Sequence, residues 1–183
     1  MQTFLIGQSR HLILYPFRDR IFQCILEGGQ AGRPVPVADD YEDGLTVAAH
    51  CFAIYYAYIS QSSQIRISCL FGKEEYRLSD PEGRMICHPK LLSFRENLIV
   101  FYVVGNGIYE ICGTGIGKEW TVTFPQTFDR IPVYECHVQG DRILLQIISE
   151  RDCIWMWSQE KGWERLTPEG GDTAQKERWQ EIE

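Results

Sequence analysis

The sequence lacks the basic clusters that binding to a nucleic-acid backbone requires. Its 183 residues carry 18 Lys and Arg against 25 Asp and Glu, and the formal net charge is −7. Proteins neutralise a phosphate backbone with clustered Lys and Arg. We therefore do not expect nucleic acid as a partner.

Long apolar runs are missing as well. The longest, LIVFYVV at 98–104, is far shorter than the roughly 20 apolar residues of a membrane-spanning helix. The first ten residues, MQTFLIGQSR, lack the basic start and the apolar stretch of a secretory signal. We therefore expect a cytoplasmic protein that does not enter a membrane.

The seven cysteines include no CxxC pair, which favours reduced and mostly buried thiols. Three neighbouring histidine–cysteine pairs resemble a zinc set at first sight: His50-Cys51, Cys87-His88 and Cys136-His137. Neighbours on a strand point to opposite faces of the sheet. Only one member of each pair could then reach a shared site, so we expect no metal and no other cofactor.

Signatures of catalysis are also lacking, and the sequence has no Gly-x-Ser-x-Gly turn. Carboxylates for glycoside hydrolysis occur near predicted strand ends, at Glu96, Glu110, Glu135 and Asp141. That chemistry depends on the separation of two carboxyl groups, which the sequence does not fix. We therefore favour a protein that is not an enzyme.

What the sequence does contain is a repeat. Tyr76, Trp120 and Trp163 follow similar residues at spacings of 44 and 43, and Val35 marks the first copy. Three apolar or alternating runs precede each anchor in the same order. These runs are 3–7, 11–17 and 20–26; 46–50, 52–60 and 64–70; 90–94, 97–104 and 107–113; and 134–138, 141–149 and 153–159.

The runs are rich in the β-branched and aromatic residues that favour strands. Four short strands with a period in the low forties resemble a blade of a β-propeller, over roughly residues 2–168. The Trp-Asp and Gly-His dipeptides and the sialidase-type box of sharper subfamilies are absent. We predict an all-β, propeller-like domain at 1–169 with four blades of about four antiparallel strands. A β-sandwich is the alternative fold.

Four blades can close a ring by themselves, or form half of a larger ring that a second copy completes. Exposed apolar blade faces favour association, so dimerisation is a hypothesis. In the tail at 170–183, Gly170-Gly171 breaks the repeat and Asp172 can cap a helix. We predict a short helix there, or the start of a longer helical region.

The stretch GNGIYEICGTGIGKEW at 105–120 has a glycine pattern that suggests a nucleotide loop. Such a loop lies between a strand and a helix, whereas the residues after Trp120 alternate as a strand does. Asn106-Gly107 is instead predicted as a hairpin turn in which both residues can adopt positive φ. The next hairpin loop is predicted to contain Gly113, Gly115 and Gly117.

Small residues suit the crowded axis of a propeller, and the repeat aligns Gly7, Ala49 and Ser93 with His137. His137 breaks the pattern with a group that binds ligands and titrates near neutral pH. It is therefore a candidate binding residue.

Aromatic residues on the central strands supply two more candidates, Trp155 and Tyr56. If they line one opening of the ring, they form a platform for a sugar or a peptide. The favoured function is a non-catalytic scaffold that binds a protein, another copy of itself or a ligand. The alternative is a propeller that binds or processes carbohydrate, with a glycan or small molecule as partner.

Overall fold

The computed structural model of the chain describes residues 1–118, 120–148 and 153–166, and within them the regular structure is entirely β. The chain divides into two compact units, Met1–Ile131 and Pro132–Glu183. The boundary predicted after residue 169 and the predicted C-terminal helix lie outside the described residues. In the described part of the chain, no helix has the length and apolar character needed to cross a membrane.

The first unit contains three antiparallel sheets. The first sheet consists of β1 (Gln2–Leu5), β2 (Arg10–Phe17), β3 (Arg20–Glu27), β4 (Gln30–Ala31) and β5 (Val35–Ala38), with β4 and β5 both paired to β3. The second sheet consists of β6 (Tyr41–His50), β7 (Ala53–Ser60), β8 (Ile65–Cys69) and β9 (Glu75–Leu78). The third sheet consists of β10 (Met85–Phe94), β11 (Asn97–Gly105), β12 (Tyr109–Gly115) and β13 (Thr121–Phe128).

The second unit contains the fourth sheet. Its strands are β14 (Tyr134–Gln139), β15 (Arg142–Ile147), β16 (Cys153–Ser158) and β17 (Gly162–Leu166), paired in chain order. Each sheet therefore comes from one stretch of about 40 residues, as a propeller blade does. This confirms the prediction of four successive sheets, with Val35, Tyr76 and Trp163 on the last strand of their sheets and Trp120 just before β13.

The core of the first unit lies between consecutive sheets. On β7, Tyr56 and Tyr58 pack with residues of the first sheet such as Leu12. Ala57 and Ile59 point the other way and pack with residues of the third sheet. Since side chains alternate along a strand, β7 contributes to the core on both of its faces.

The glycines of 105–120 are placed differently from the prediction. Gly113 and Gly115 lie within β12, and only Gly117 lies in the following loop. A Cβ at Gly113 would be 2.7 Å from Cε1 of the buried Phe101, so this glycine makes room for a ring. The Asn106-Gly107 turn is confirmed, although of the two residues only Gly107 adopts positive φ, at 88°.

Candidate functional site

A cleft of about 270 Å³ lies beside the second sheet, and we call it the Tyr56 cleft. Its lining includes Val37 from β5, Tyr56 from β7 and Ser68 from β8. The other lining residues are Cys69, Leu70 and residues 72–75, which end β8, form the following loop and begin β9. The cleft therefore opens between the first and second sheets, within the first unit.

The 70–74 loop, which forms one wall of the cleft, is tightly held. The amide of Cys69 donates to the carbonyl of Glu74 at 3.0 Å, and the amide of Leu70 donates to the carbonyl of Ile54 at 2.8 Å. A Cβ at Gly72 would be 2.7 Å from Cys69 Sγ. The loop presents Phe71 with 67% of its surface exposed, so an aromatic ring stands next to residues that line the cleft.

Tyr56 both lines the cleft and belongs to the core between the first and second sheets. Its hydroxyl donates to the carbonyl of Val37 at 3.0 Å, and its ring stacks on that of Tyr58 with 6.1 Å between centroids. Only 4% of Tyr56 is exposed, and burial raises its pKa. Tyr56 is therefore a fixed and buried residue of the cleft lining rather than an open platform.

The carboxylates at the cleft already have partners. Tyr55 donates to Glu74 Oε2 at 2.6 Å, which raises the pKa of Tyr55. Arg77 and Arg66 donate to Glu75 Oε1 at 3.1 and 2.9 Å, and these bonds hold the pKa of Glu75 below its usual range. Glu75 therefore remains ionised near neutral pH and serves as a hydrogen-bond acceptor.

Of the three candidate residues predicted from the sequence, Tyr56 lines the cleft in the first unit, and the other two lie in the second unit. His137 is exposed on β14, and the half-buried Trp155 lies on β16. Strand pairing aligns His137 with Leu144 and Met156, whereas Trp155 aligns with Leu145. His137 and Trp155 therefore lie on opposite faces of the fourth sheet. Their roles in binding remain predictions.

The sequence alignment that placed His137 beside Ala49 and Ser93 is wrong by one residue. The hairpin turns that follow β6, β10 and β14 each contain two residues. Counting back from these turns aligns Val138, not His137, with Ala49 and Ser93. Gly7 lies beyond the end of β1. The turn fixes the register of a hairpin. The sequence alignment had displaced the fourth repeat by one residue.

The histidine–cysteine pairs differ from one another in side-chain geometry and in burial. His50 and Cys51 point towards each other, with 3.3 Å between Nε2 and Sγ, because Cys51 lies in a turn rather than on a strand. Cys51 is exposed, three other cysteines are half-buried and three are buried, so fewer than half of the thiols are buried, where most were expected to be. Burial, with a smaller contribution from Asp43, raises the pKa of Cys87 to about 11.

Among the described residues, no group of three His, Cys, Asp or Glu is arranged to hold a metal ion.

The sequence did not predict Ser68 and Lys73, which line the cleft, or Phe71, which lies in the loop between the lining residues Leu70 and Gly72. A signal was present in LFGKEE at 70–75, where an aromatic residue precedes a glycine between two strands. An aromatic residue in a turn has no place in the core and is a better candidate for contact with a ligand than one on a central strand.

No protein-family model matches the sequence, and no curated protein matches it. Solved structures do share its fold. An α-L-arabinofuranosidase from Lactobacillus brevis is 11% identical with a TM-score of 0.54, over 90% of this chain and 70% of that one. A six-bladed β-propeller lectin of Aleuria aurantia is 15% identical with a TM-score of 0.51, over 88% and 58%. A neuraminidase-like protein of A/flat-faced bat/Peru is 8% identical with a TM-score of 0.55, over 91% and 53%.

These similarities concern the fold alone. Together with the four successive meanders, they show that the chain has an all-β, propeller-like fold. The chain spans little more than half of the lectin and of the neuraminidase-like protein.

Proposed function

We propose that this chain is a carbohydrate-binding propeller domain and that the Tyr56 cleft holds the sugar. The observation that carries the proposal is the exposed ring of Phe71 beside a cleft with a polar lining. A sugar ring has an apolar face of C–H groups and a rim of hydroxyls. It therefore needs an aromatic surface and hydrogen-bonding groups at adjacent positions.

The cleft and its adjacent loop together offer both kinds of group. Phe71, next to the lining residues, supplies the aromatic surface, while Lys73 supplies a donor and Ser68 a hydroxyl in the lining. Glu75, held ionised by two arginines, supplies an acceptor. With about 270 Å³ of space, the cleft lies just below the range of roughly 300–1,000 Å³ found for drug-sized ligands. That size suits one sugar ring, with the rest of a glycan extending outside.

The structural neighbours support carbohydrate over a general scaffold. The Aleuria aurantia lectin is described as having a novel mode of fucose recognition, and the Lactobacillus brevis protein is an arabinofuranosidase. Because identity is low, these functions indicate what the shared fold can support and do not identify a sugar for this chain.

Binding without hydrolysis fits the cleft better than catalysis does. Glycoside hydrolysis requires a carboxylic acid that is protonated near neutral pH, which means a raised pKa. The pKa of Glu75 is lowered instead, and Glu74 is occupied by the hydroxyl of Tyr55. The cleft thus offers acceptors, and the lowered pKa of Glu75 argues against a role as general acid.

A glycan array probed with the full chain tests the proposal. We expect binding to a restricted set of glycans, weakened at least tenfold by Phe71→Ala and severalfold by Lys73→Ala. Leu5→Ala is the matched control, since Leu5 has the same 67% exposure and lies on β1, at the edge of the first sheet away from β5. Absence of any glycan binding, or equal binding by wild type and Phe71→Ala, would contradict the proposal.

Protein binding or self-association is the second candidate, and a different surface favours it. Met85 pairs with Gly105 at the end of β11, and Ile108 follows in the next turn. Both side chains are exposed, by 42% and 67%, and both lie at the same end of the third sheet. Light scattering should show a dimer that Ile108→Asp dissociates. A monomer at every concentration would exclude self-association.

A further inference from the structure

The turn between β6 and β7 has an unusual backbone. His50 pairs with Ala53, so Cys51 and Phe52 form a two-residue hairpin loop. Their φ angles are 47° and 64°. Turns with two positive φ angles favour Asn-Gly or Gly-Gly, and this chain uses Gly28-Gly29 between β3 and β4. A strained turn made of Cys and Phe is the kind of outlier that motivates a search for function.

This backbone brings the thiol of Cys51 against the ring of its neighbour. Cys51 Sγ lies 3.3 Å from His50 Nε2, and His50 Nδ1 lies 2.9 Å from Ser93 Oγ. With the thiol donating to Nε2, the neutral ring carries its proton on Nδ1 and donates it to the hydroxyl of Ser93. Ser93 belongs to β10 of the third sheet, so the orientation of the ring is fixed from a neighbouring sheet.

A nucleophile, a base within hydrogen-bonding reach and a third group that orients the base form an activated nucleophilic site. Cys51 is exposed, so a small molecule has access to its sulfur. Cys24, Cys136 and Cys153 are buried. Burial raises the pKa of Cys87 and that of Cys112, and both effects favour the unreactive thiol form.

We propose that Cys51 is a reactive thiol that forms a mixed disulfide with small-molecule disulfides such as glutathione disulfide. His50 is the base, and Ser93 is a positioning residue. The thiol proton passes to His50 Nε2, and the thiolate attacks one sulfur of the disulfide. A bond forms between Cys51 Sγ and that sulfur, the disulfide of the reagent breaks, and the departing thiolate takes up the proton from the imidazolium.

Other charged groups lie at the same end of these two sheets. Arg95 and Glu96 form the turn after β10, and Lys118 Nζ donates to the carbonyl of Glu96 at 3.2 Å. Glu74 is bonded to Tyr55, whose ring centroid lies 6.4 Å from that of His50. Variants for the test therefore leave these residues unchanged, so that the rate reports on His50.

The test follows the reaction of the full, reduced chain with glutathione disulfide by intact mass and peptide mapping. At pH 7 an ordinary free thiol is only a few per cent thiolate, so a base has the most effect there. We expect Cys51 to be modified first, and His50→Asn to slow the reaction about tenfold at pH 7 but less than twofold at pH 10, where thiols ionise without a base. Equal rates for wild type and His50→Asn at pH 7 would overturn the proposal.

Ser93 provides a second test. Ser93→Ala should slow the reaction about threefold at pH 7, and Ser93→Thr should restore the rate because it keeps the hydroxyl. Cys87→Ser is the matched control and should react as wild type does. If a variant unfolds, wild type alone provides the test. At pH 7, Cys51 should react faster in the folded wild-type chain than in the same chain unfolded in guanidinium. A slower reaction in the folded chain, or preferential modification of another cysteine, would contradict the proposal.

Discussion

The hydroxyl of Tyr58 donates a hydrogen bond to Asp40 Oδ1, with 2.6 Å between the two oxygen atoms. Tyr58 is 4% exposed on β7, whereas Asp40 lies in the short connection between the first and second sheets. Asp40 Oδ2 also lies 3.0 Å from Arg66 Nε. The contact therefore fastens the connection between two sheets to the centre of the second one.

Tyr58→Phe should lower the free energy of unfolding by about 1–2 kcal/mol, because a hydrogen bond to a charged group contributes about 1.5–3 kcal/mol and Arg66 still pairs with Asp40. Chemical denaturation measures the change. Tyr102→Phe is the control, since its hydroxyl lies 3.4 Å from Thr114 Oγ1 and should contribute much less. Equal losses for the two variants would count against a special role of Tyr58.

Asp80→Asn should make stability less dependent on acidic pH. Asp80, 5% exposed, accepts from Arg84 Nη2 at 2.8 Å, and this pairing holds the pKa of Asp80 below its usual range. The stabilisation is thus present above the pKa of about 3.9 expected in the unfolded chain. It is lost as the pH falls through the lower pKa of the folded state.

Thermal unfolding checks this pH dependence. The Tm of Asp80→Asn should lie below that of wild type at pH 7, and the difference should shrink as the pH falls below about 4. Glu82→Gln is the control in the same loop, because Glu82 is 73% exposed and lies 3.3 Å from Arg84, and exposed pairs contribute little. A difference for Asp80→Asn that stays constant from pH 7 down to pH 2 would show that the ion pair is not its cause.

Gly113→Ala should destabilise the chain by about 1–3 kcal/mol, because an added methyl group inside a packed core forces its neighbours to move. The Cβ would lie 2.7 Å from Cε1 of Phe101, which is fully buried. Gly7→Ala is the control, since the nearest atom to its Cβ would be Arg10 Cβ at 3.9 Å. Calorimetry that gave the two variants the same Tm would refute this account of Gly113.

Phe52→Gly should stabilise the chain by about 1 kcal/mol, since a left-handed conformation costs a residue with a Cβ roughly 1–2 kcal/mol and glycine gives back part of this in the unfolded chain. Phe52 has a φ of 64° and is fully exposed, so no packing is lost. Denaturation curves at matched pH measure the gain. A loss of stability would mean that the Phe52 ring makes a stabilising contact in the folded state.

The alternation of residues and the spacing of turns were sufficient to predict the four sheets. Runs such as 97–104 are rich in Val and Ile and are followed by a glycine-containing turn, so local propensity and tertiary structure agree there. Gly113 was misplaced because glycine usually marks a turn. Its reason for being in β12 is the ring of Phe101 on the neighbouring strand, which local sequence does not reveal.

The two sites depend on contacts that no local pattern records. The Tyr56 cleft requires Val37 of the first sheet and Ser68 of the second to line the same space. The contact between His50 and Cys51 requires positive φ in a turn without glycine. From the sequence, strand periodicity predicted that these two side chains diverge, and the turn reverses that prediction.

Titration of the ¹⁵N-labelled full chain with methyl glycosides, α-methyl-L-fucoside among them, tests the central claim most directly. Amide spectra report which residues meet the sugar. We predict saturable shifts at residues 68–75 and at Val37, with none on β14 around His137. Shifts centred on β14, or no saturable shift with any glycoside, would contradict the assignment of the Tyr56 cleft as a carbohydrate site.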